Sequence, residues 1–204
     1  MSEISIYTLQ TETINEFHLS RALELVPEWR RERLPKHSLA DRINGAFSYL
    51  LLQKLVWDRF GLSDTAPFTY GEYGKPYFSQ IGVFFSISHC KTAAAAAVSE
   101  KETGLDVMDN RKVKESIALR ICSDRELEKF NLAQDKNAFL LELWCKKESL
   151  VKKSGTGFHK GFKTAETEGG ERFYLFNGEN YTVSAAIDPG DTVSLKEIQF
   201  SELI

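Results

Sequence analysis

TAAAAAVSE, residues 92–100, is the stretch whose reading decides the fold. On intrinsic propensity alone, five consecutive alanines favour a helix. The context favours a strand. The run is short, has no polar positions at helical spacing, and lies between SISHC (86–90) and GLDVM (104–108). A strand, a tight turn at SEKET (99–103) and a second strand is the simpler reading. With strands at its centre, the chain alternates long helices and strand groups, which predicts an α+β fold.

Working outward, residues 3–10 alternate like a strand, with Ile4, Ile6 and Leu9 apolar. Residues 19–25 read as helix, followed by the basic, irregular WRRERLPKHSLADR (29–42). Apolar spacing over 39–60 predicts a long helix that stops at Gly61. TYGEYGKPYF (69–78) is rich in turn residues, and IGVFFSISHC (81–90) reads as a buried strand. Residues 113–130 look helical, with Ser123 and Asp124 as candidate caps for a helix over 125–133. A strong helix is expected over 135–154, ended by Gly155 and Gly157. RFYLF (172–176), YTVSAAI (181–187) and TVSLKEIQF (192–200) are strand-like. Each half thus offers a long helix followed by strands, with a join near residue 100 and no Pro- or Ser-rich linker. Two halves, 1–100 and 101–204, would therefore pack tightly. No sequence repeat is visible.

The 204 residues, 42% hydrophobic and 27% charged, suffice to bury a core without staples. A formal net charge of −3 speaks against a globally basic nucleic-acid binder. Cys90, Cys122 and Cys145 are odd in number and form no CxxC pattern. That argues against a disulfide framework or zinc ribbon and for a reduced, cytoplasmic setting. The opening MSEISIYTLQTETINEF has no basic stretch leading into an apolar run, so no secretory leader is expected. No apolar run reaches the length of a membrane span, so no membrane partner is expected either.

Several stretches carry candidate chemistry. Asp106 in GLDVMD (104–109) interrupts an apolar strand, and a buried carboxylate needs a partner. A hard cation such as magnesium is one partner, and an ordinary strand-end turn is the plainer alternative. On a helix, Trp144, Glu148 and Lys152 recur at intervals of four and share a stripe. Trp144 would anchor that stripe, and Glu148 would approach Asp106 if strand and helix pack. Two facing carboxylates repel unless a cation lies between them. Lys147, Lys152 and Lys153 offer charge for phosphate. The plainer alternative is a solvated face with a Glu148–Lys152 pair. His89 ends the strand that carries Ser86 and Ser88, in a position to bind phosphate or to serve structure. No second histidine is spaced for zinc. GEYGKP (71–76) is a glycine-bearing loop that matches neither a Walker A nor a dinucleotide motif. The basic run Arg30, Arg31, Arg33, Lys36, His37 and Arg42 suits a phosphate or a solvated loop equally well.

In their order, GEYGKPYF (71–78), FSISHC (85–90), GLDV (104–107) and LWCKKESLVKKSG (143–155) resemble the Sfp-type, single-chain 4′-phosphopantetheinyl transferases. The resemblance runs from about Arg31 to Gly157, and Trp-x-x-Lys-Glu-Ser-x-x-Lys is its most specific part. It implies a pseudo-dimer of two similar α/β halves in one chain, monomeric, with a coenzyme A site in the cleft between them. It implies transfer of the phosphopantetheine arm of coenzyme A to a serine of an acyl or peptidyl carrier protein, releasing 3′,5′-ADP. By the same resemblance Asp106 and Glu148 would hold Mg²⁺ (or Mn²⁺), and Glu148 would also take the serine proton. Lys152 would neutralise the pyrophosphate, and Ser88 and His89 would lie by the phosphates. Tyr73, Gly74 and Lys75 would sit by the adenine, and Arg31, Arg33 and Lys36 by the 3′-phosphate. Residues 111–120 would meet the carrier. Many relatives place a third metal carboxylate where this chain has Met108, and a thioether suits a hard cation poorly. Asp109, next along a strand, would point to the opposite face. A coenzyme A-binding protein of the same fold that has lost transfer is the rival reading, with Met108 as its symptom.

Overall fold

Within 92–100, residues Ala93–Ser99 do form a strand, and its surroundings explain the alanines. The computed structural model describes residues 2–35, 38–63, 67–157, 161–165, 167 and 172–204. In chain order the elements are β1 (Glu3–Gln10), α1 (Glu16–Leu25), α2 (Glu28–Arg31), α3 (Leu39–Phe60), β2 (Thr69–Tyr70), β3 (Pro76–Tyr77), β4 (Phe84–His89) and β5 (Ala93–Ser99). They continue with β6 (Gly104–Asp109), α4 (Ala118–Ile121), α5 (Asp124–Leu132), α6 (Lys136–Ser154), β7 (Arg172–Asn177), β8 (Tyr181–Ile187) and β9 (Thr192–Glu197). Every residue of β5 is buried. Ala94, Ala96 and Val98 face one apolar cluster with α3, while Ala93, Ala95 and Ala97 face a second cluster with β6 and β8. A strand covered on both faces loses the polar alternation of a half-exposed one. Its small side chains let both covering layers come close.

Two sheets form, β4-β5-β1-β9 and β6-β8-β7, beside the β2–β3 hairpin. β1–α3–β4–β5 and β6–α6–β7–β8 share one plan: strand, helix, strand, strand, with the last strand central. Within each unit the central strand pairs antiparallel with both neighbours. Strand pairing does not stay within the spans 1–100 and 101–204. β9 runs parallel to β1 in the first sheet, and Ile198 and Phe200 join the first cluster.

The long helices end where their caps dictate. The Ser38 side chain accepts from the Asp41 amide to start α3, and Gly61 closes it at φ 67°. The Asp135 side chain accepts from the Ala138 amide to start α6, and Gly155 closes it at φ 67°. Both glycines take a left-handed conformation that other residues resist. The helix expected over 113–130 is broken. A single 3₁₀ turn at Glu115–Ile117 leads into α4, Cys122 is extended, and α5 starts afresh. A reciprocal capping box between Ser123 and Glu126 fixes that restart. The three cysteines are free. Among the described residues no helix is long and apolar enough to cross a membrane.

The units meet where β4 runs beside β6. β6 is an edge strand, and unpaired edge amides need acceptors. Serines on β4 supply them: Ser86 Oγ accepts from the Leu105 amide (3.0 Å) and Ser88 Oγ from the Val107 amide (3.3 Å). On the other side α6 packs against β6 with almost no gap. A Cβ on Gly104 would lie 2.0 Å from the Ser149 carbonyl oxygen and 2.3 Å from the Lys153 nitrogen. Only glycine permits that approach. Ser149 and Ser184 hydroxyls meet beneath it at 3.1 Å.

Candidate active site

The seam of β4, β6 and α6 opens into a cleft of about 390 Å³. β6 alternates, so Leu105 and Val107 enter the core between the sheets while Asp106 and Met108 face α6. On α6 the stripe expected from the sequence does form, and Trp144, Glu148 and Lys152 all line the cleft beside Asp106, Ser88 and His89. Lys152 Nζ lies 2.7 Å from Asp106 Oδ1 and 2.8 Å from Ser88 Oγ, and Ser88 Oγ donates to Asp106 Oδ1 at 2.9 Å. Trp144 Nε1 points at Glu148 Oε1 (3.3 Å), and its ring packs on Phe162 at 4.9 Å between centroids.

The electrostatics follow from this crowding. Burial raises the Glu148 pKa, the Asp106 carboxylate raises it further, and Lys152 and Trp144 only partly offset them. Two carboxylates that burden each other in one cleft are a donor pair suited to a cation. Among the described residues no group of three or more His, Cys, Asp or Glu converges, so any metal here would draw its remaining ligands from water or substrate. His89 reaches solvent yet sits recessed in the cleft. Burial and the Lys152 charge lower its pKa, so it is neutral more of the time than a free histidine.

Met108 occupies the face of Asp106, 9% exposed, packed with Leu141 and Cys145. The Asp109 carboxylate turns from the Asp106 face, as its register requires, onto the β4–β5 turn at Lys91 and Thr92, although the residue still borders the cleft. A second cavity of about 310 Å³ adjoins the first and shares Ile87, Glu148 and Lys152 with it. Tyr73, Gly74 and Lys75 line it. The Lys75 amine is tied to Glu102 and, at 2.7 Å, to the Lys153 carbonyl at the end of α6.

Other candidate residues stand elsewhere. Arg31 donates to the Leu23 carbonyl (3.1 Å), and Arg33 stacks over Tyr70 at 4.8 Å. Lys36 lies outside the described residues. Of the three lysines offered for phosphate, only Lys152 faces the cleft. Lys147 is fully buried in an ion pair with Glu126 (2.7 Å), and Lys153 pairs with Asp188. Sequence spacing could not separate them, because burial of a lysine depends on an acid from another element. Arg30 went unsingled within its basic run. It is half-buried over Tyr49 and Phe68, donates to the Gly45 carbonyl, and its charge helps lower the His89 pKa.

Part of this site lies on a segment that resembles known proteins. Residues 102–188 match the model of the 4′-phosphopantetheinyl transferase superfamily, and that span carries Asp106, Glu148 and Lys152. The match is to that segment, a little under half of the chain. One curated relative, 4′-phosphopantetheinyl transferase psf-1 of Bacillus pumilus, is 30% identical over 94 residues. The alignment takes in 45% of this chain and 40% of the relative.

Proposed function

We propose that this chain transfers the 4′-phosphopantetheine arm of coenzyme A to a serine of an acyl or peptidyl carrier protein. The observation that carries the reading is the juxtaposition of Asp106, Glu148 and Lys152 in one cleft, within the segment similar to the transferases. In the transfer, the serine Oγ bonds to the phosphorus that bears the pantetheine arm. The bond from that phosphorus to the bridging pyrophosphate oxygen breaks, and 3′,5′-ADP leaves with the oxygen. The serine proton passes to the Glu148 carboxylate, whose burial raises its affinity for a proton. Lys152 pairs with the pyrophosphate, and Ser88 and His89 contact its oxygens. Asp106 and Glu148 are the pair to hold Mg²⁺ or Mn²⁺, which would offset charge on the transferred and leaving phosphates.

The adjoining cavity takes the adenine beside Tyr73 and Gly74 and the Lys75 stem. Arg31, Arg33 and Lys36 serve the 3′-phosphate. We read the two like-ordered units as a single-chain pseudo-dimer with the substrate between them, a monomer of a reducing, cytoplasmic compartment. The carrier approaches over Arg111, which lines the cleft, and the exposed Leu119.

Intact mass of an apo carrier after incubation with coenzyme A and Mg²⁺, with and without EDTA, tests this reading. A gain of one phosphopantetheine that EDTA blocks is the expected result. No gain on fatty-acid, polyketide or peptide carriers, alongside calorimetric binding of coenzyme A, would favour the binding-protein reading and Met108 as its cause.

A further inference from the structure

The carboxylate beside Met108 has its own task. Asp109 ends β6 three residues after Asp106 and reaches across to the turn that joins β4 and β5. Its Oδ1 accepts from the Thr92 amide (2.9 Å) and the Thr92 hydroxyl (2.9 Å), and its Oδ2 accepts from the Lys91 amide (3.3 Å). Three donors of one tight turn therefore converge on a single side chain from the other unit. The same turn is gripped elsewhere. Asn44 Nδ2 on α3 donates to the Cys90 carbonyl (2.7 Å), and the Thr11 amide donates to the Thr92 carbonyl (2.8 Å). Thr92 Oγ1 also lies 3.1 Å from the Asn180 carbonyl. His89 is the residue that leads into this turn, and it lines the cleft with Asp106.

We propose that Asp109 is a positioning residue: by clamping residues 91–92 it fixes His89 at a set distance from Asp106, and so aligns the phosphate-contacting side of the cleft with the carboxylate side. The proposal rests on the function proposed above, since it gives His89 a phosphate to meet. Its geometry is independent of that reading. A strand that carries a cleft carboxylate at one position and a turn clamp three residues on transmits its own register across the seam. Hydrogen bonds to a charged acceptor are the stronger kind, so their loss loosens the turn even though its other contacts remain.

The test compares Asp109→Ala and Asp109→Asn with the full-length parent by three readouts. These are amide exchange of residues 90–93 in the ligand-free chain, calorimetric binding of coenzyme A, and the KM and kcat of transfer. Asp109→Ala should speed exchange at Lys91 and Thr92 and raise the KM for coenzyme A about tenfold, with kcat nearly unchanged. Asp109→Asn retains an acceptor for Thr92 and should recover most of both effects. Unchanged exchange in Asp109→Ala would overturn the clamp. Faster exchange with an unaltered KM, or a loss that falls on the carrier KM instead, would overturn the positioning role. A parent chain that binds no coenzyme A would overturn the function reading, while the exchange rates would still decide whether Asp109 holds the turn.

Discussion

Replacing Gly104 with alanine should damage stability and activity together, for one geometric reason. The added Cβ would stand 2.0 Å from the Ser149 oxygen, 2.3 Å from the Lys153 nitrogen and 2.8 Å from the Lys153 Cα. All three are helix backbone, so no side chain can swing aside. Ordinary contact for a Cβ begins near 3.4 Å, so α6 must retreat from β6 by about 1.4 Å. Overpacking of this kind costs about 1–3 kcal/mol, and an unyielding backbone puts the cost near the upper end. For a chain of this size that lowers the melting temperature by roughly 6–12 °C. The same retreat carries Glu148 and Lys152 away from Asp106 and stretches the 2.7 Å contact between Lys152 and Asp106. A displacement of about 1 Å can cost a hundredfold in rate. Calorimetry gives the first number. Transfer measured well below the melting transition gives the second, free of unfolded protein. A variant with the parent's melting temperature and rate would refute the argument that direct backbone packing sets the site.

Glu148→Gln should abolish transfer yet leave the fold intact, and measurable parental turnover would remove Glu148 from its role. Because the folded chain raises the Glu148 pKa, it binds that proton more tightly than the unfolded chain does. The resulting stability is full below the unfolded value of about 4.3 and is lost as pH rises through the folded one. In metal-free buffer Glu148→Gln should therefore melt higher than the parent at pH 7, and the gap should close below about pH 4; a variant that melts lower at pH 7 would contradict this sign. Lys152→Ala should slow transfer strongly, and an unchanged rate would place the lysine outside the reaction. Glu126→Gln strands a fully buried lysine and should cost about 3–5 kcal/mol, read from urea unfolding, with much of it regained when Lys147→Met is added. Met108→Glu adds a third carboxylate on the Asp106 face, so it should melt lower in EDTA and gain more from Mg²⁺ than the parent; equal gains would show that position 108 does not reach the cation.

The strands and long helices were legible because their signals are local. Spacing and caps marked α3 and α6, and neighbours of the alanine run outweighed its helical propensity. The stripe of Trp144, Glu148 and Lys152 follows from helix geometry alone, and their meeting with Asp106 needed only that the strand and helix pack. What remained hidden depends on partners distant in sequence. Lys147 reads like Lys152 until Glu126 on α5 claims it. Gly104 shows no turn signal, since its reason is the backbone of α6 rather than its own dihedral angles. The break at Cys122 was foreshadowed by Ser123 as a cap, but apolar spacing on either side masked it. Asp109 was correctly turned away from the Asp106 face by strand alternation, while its hold on Thr92 spans two units that the sequence alone cannot register.

β9 gives the chain a particular order of completion. It pairs with β1 across nearly the whole sequence, from Glu3 with Thr192 to Thr8 with Glu197, and the Ile198 amide then donates to the Thr8 carbonyl at 2.7 Å. During synthesis the first sheet must wait, one edge of β1 bare, until residues 192–197 have left the ribosome. Contacts so remote in sequence close late and slow folding. A fragment ending near residue 100 would keep that edge open, a template for pairing with another chain. The two units share a plan, yet they are not spare parts: the first is finished only by β9, the strand that follows the second.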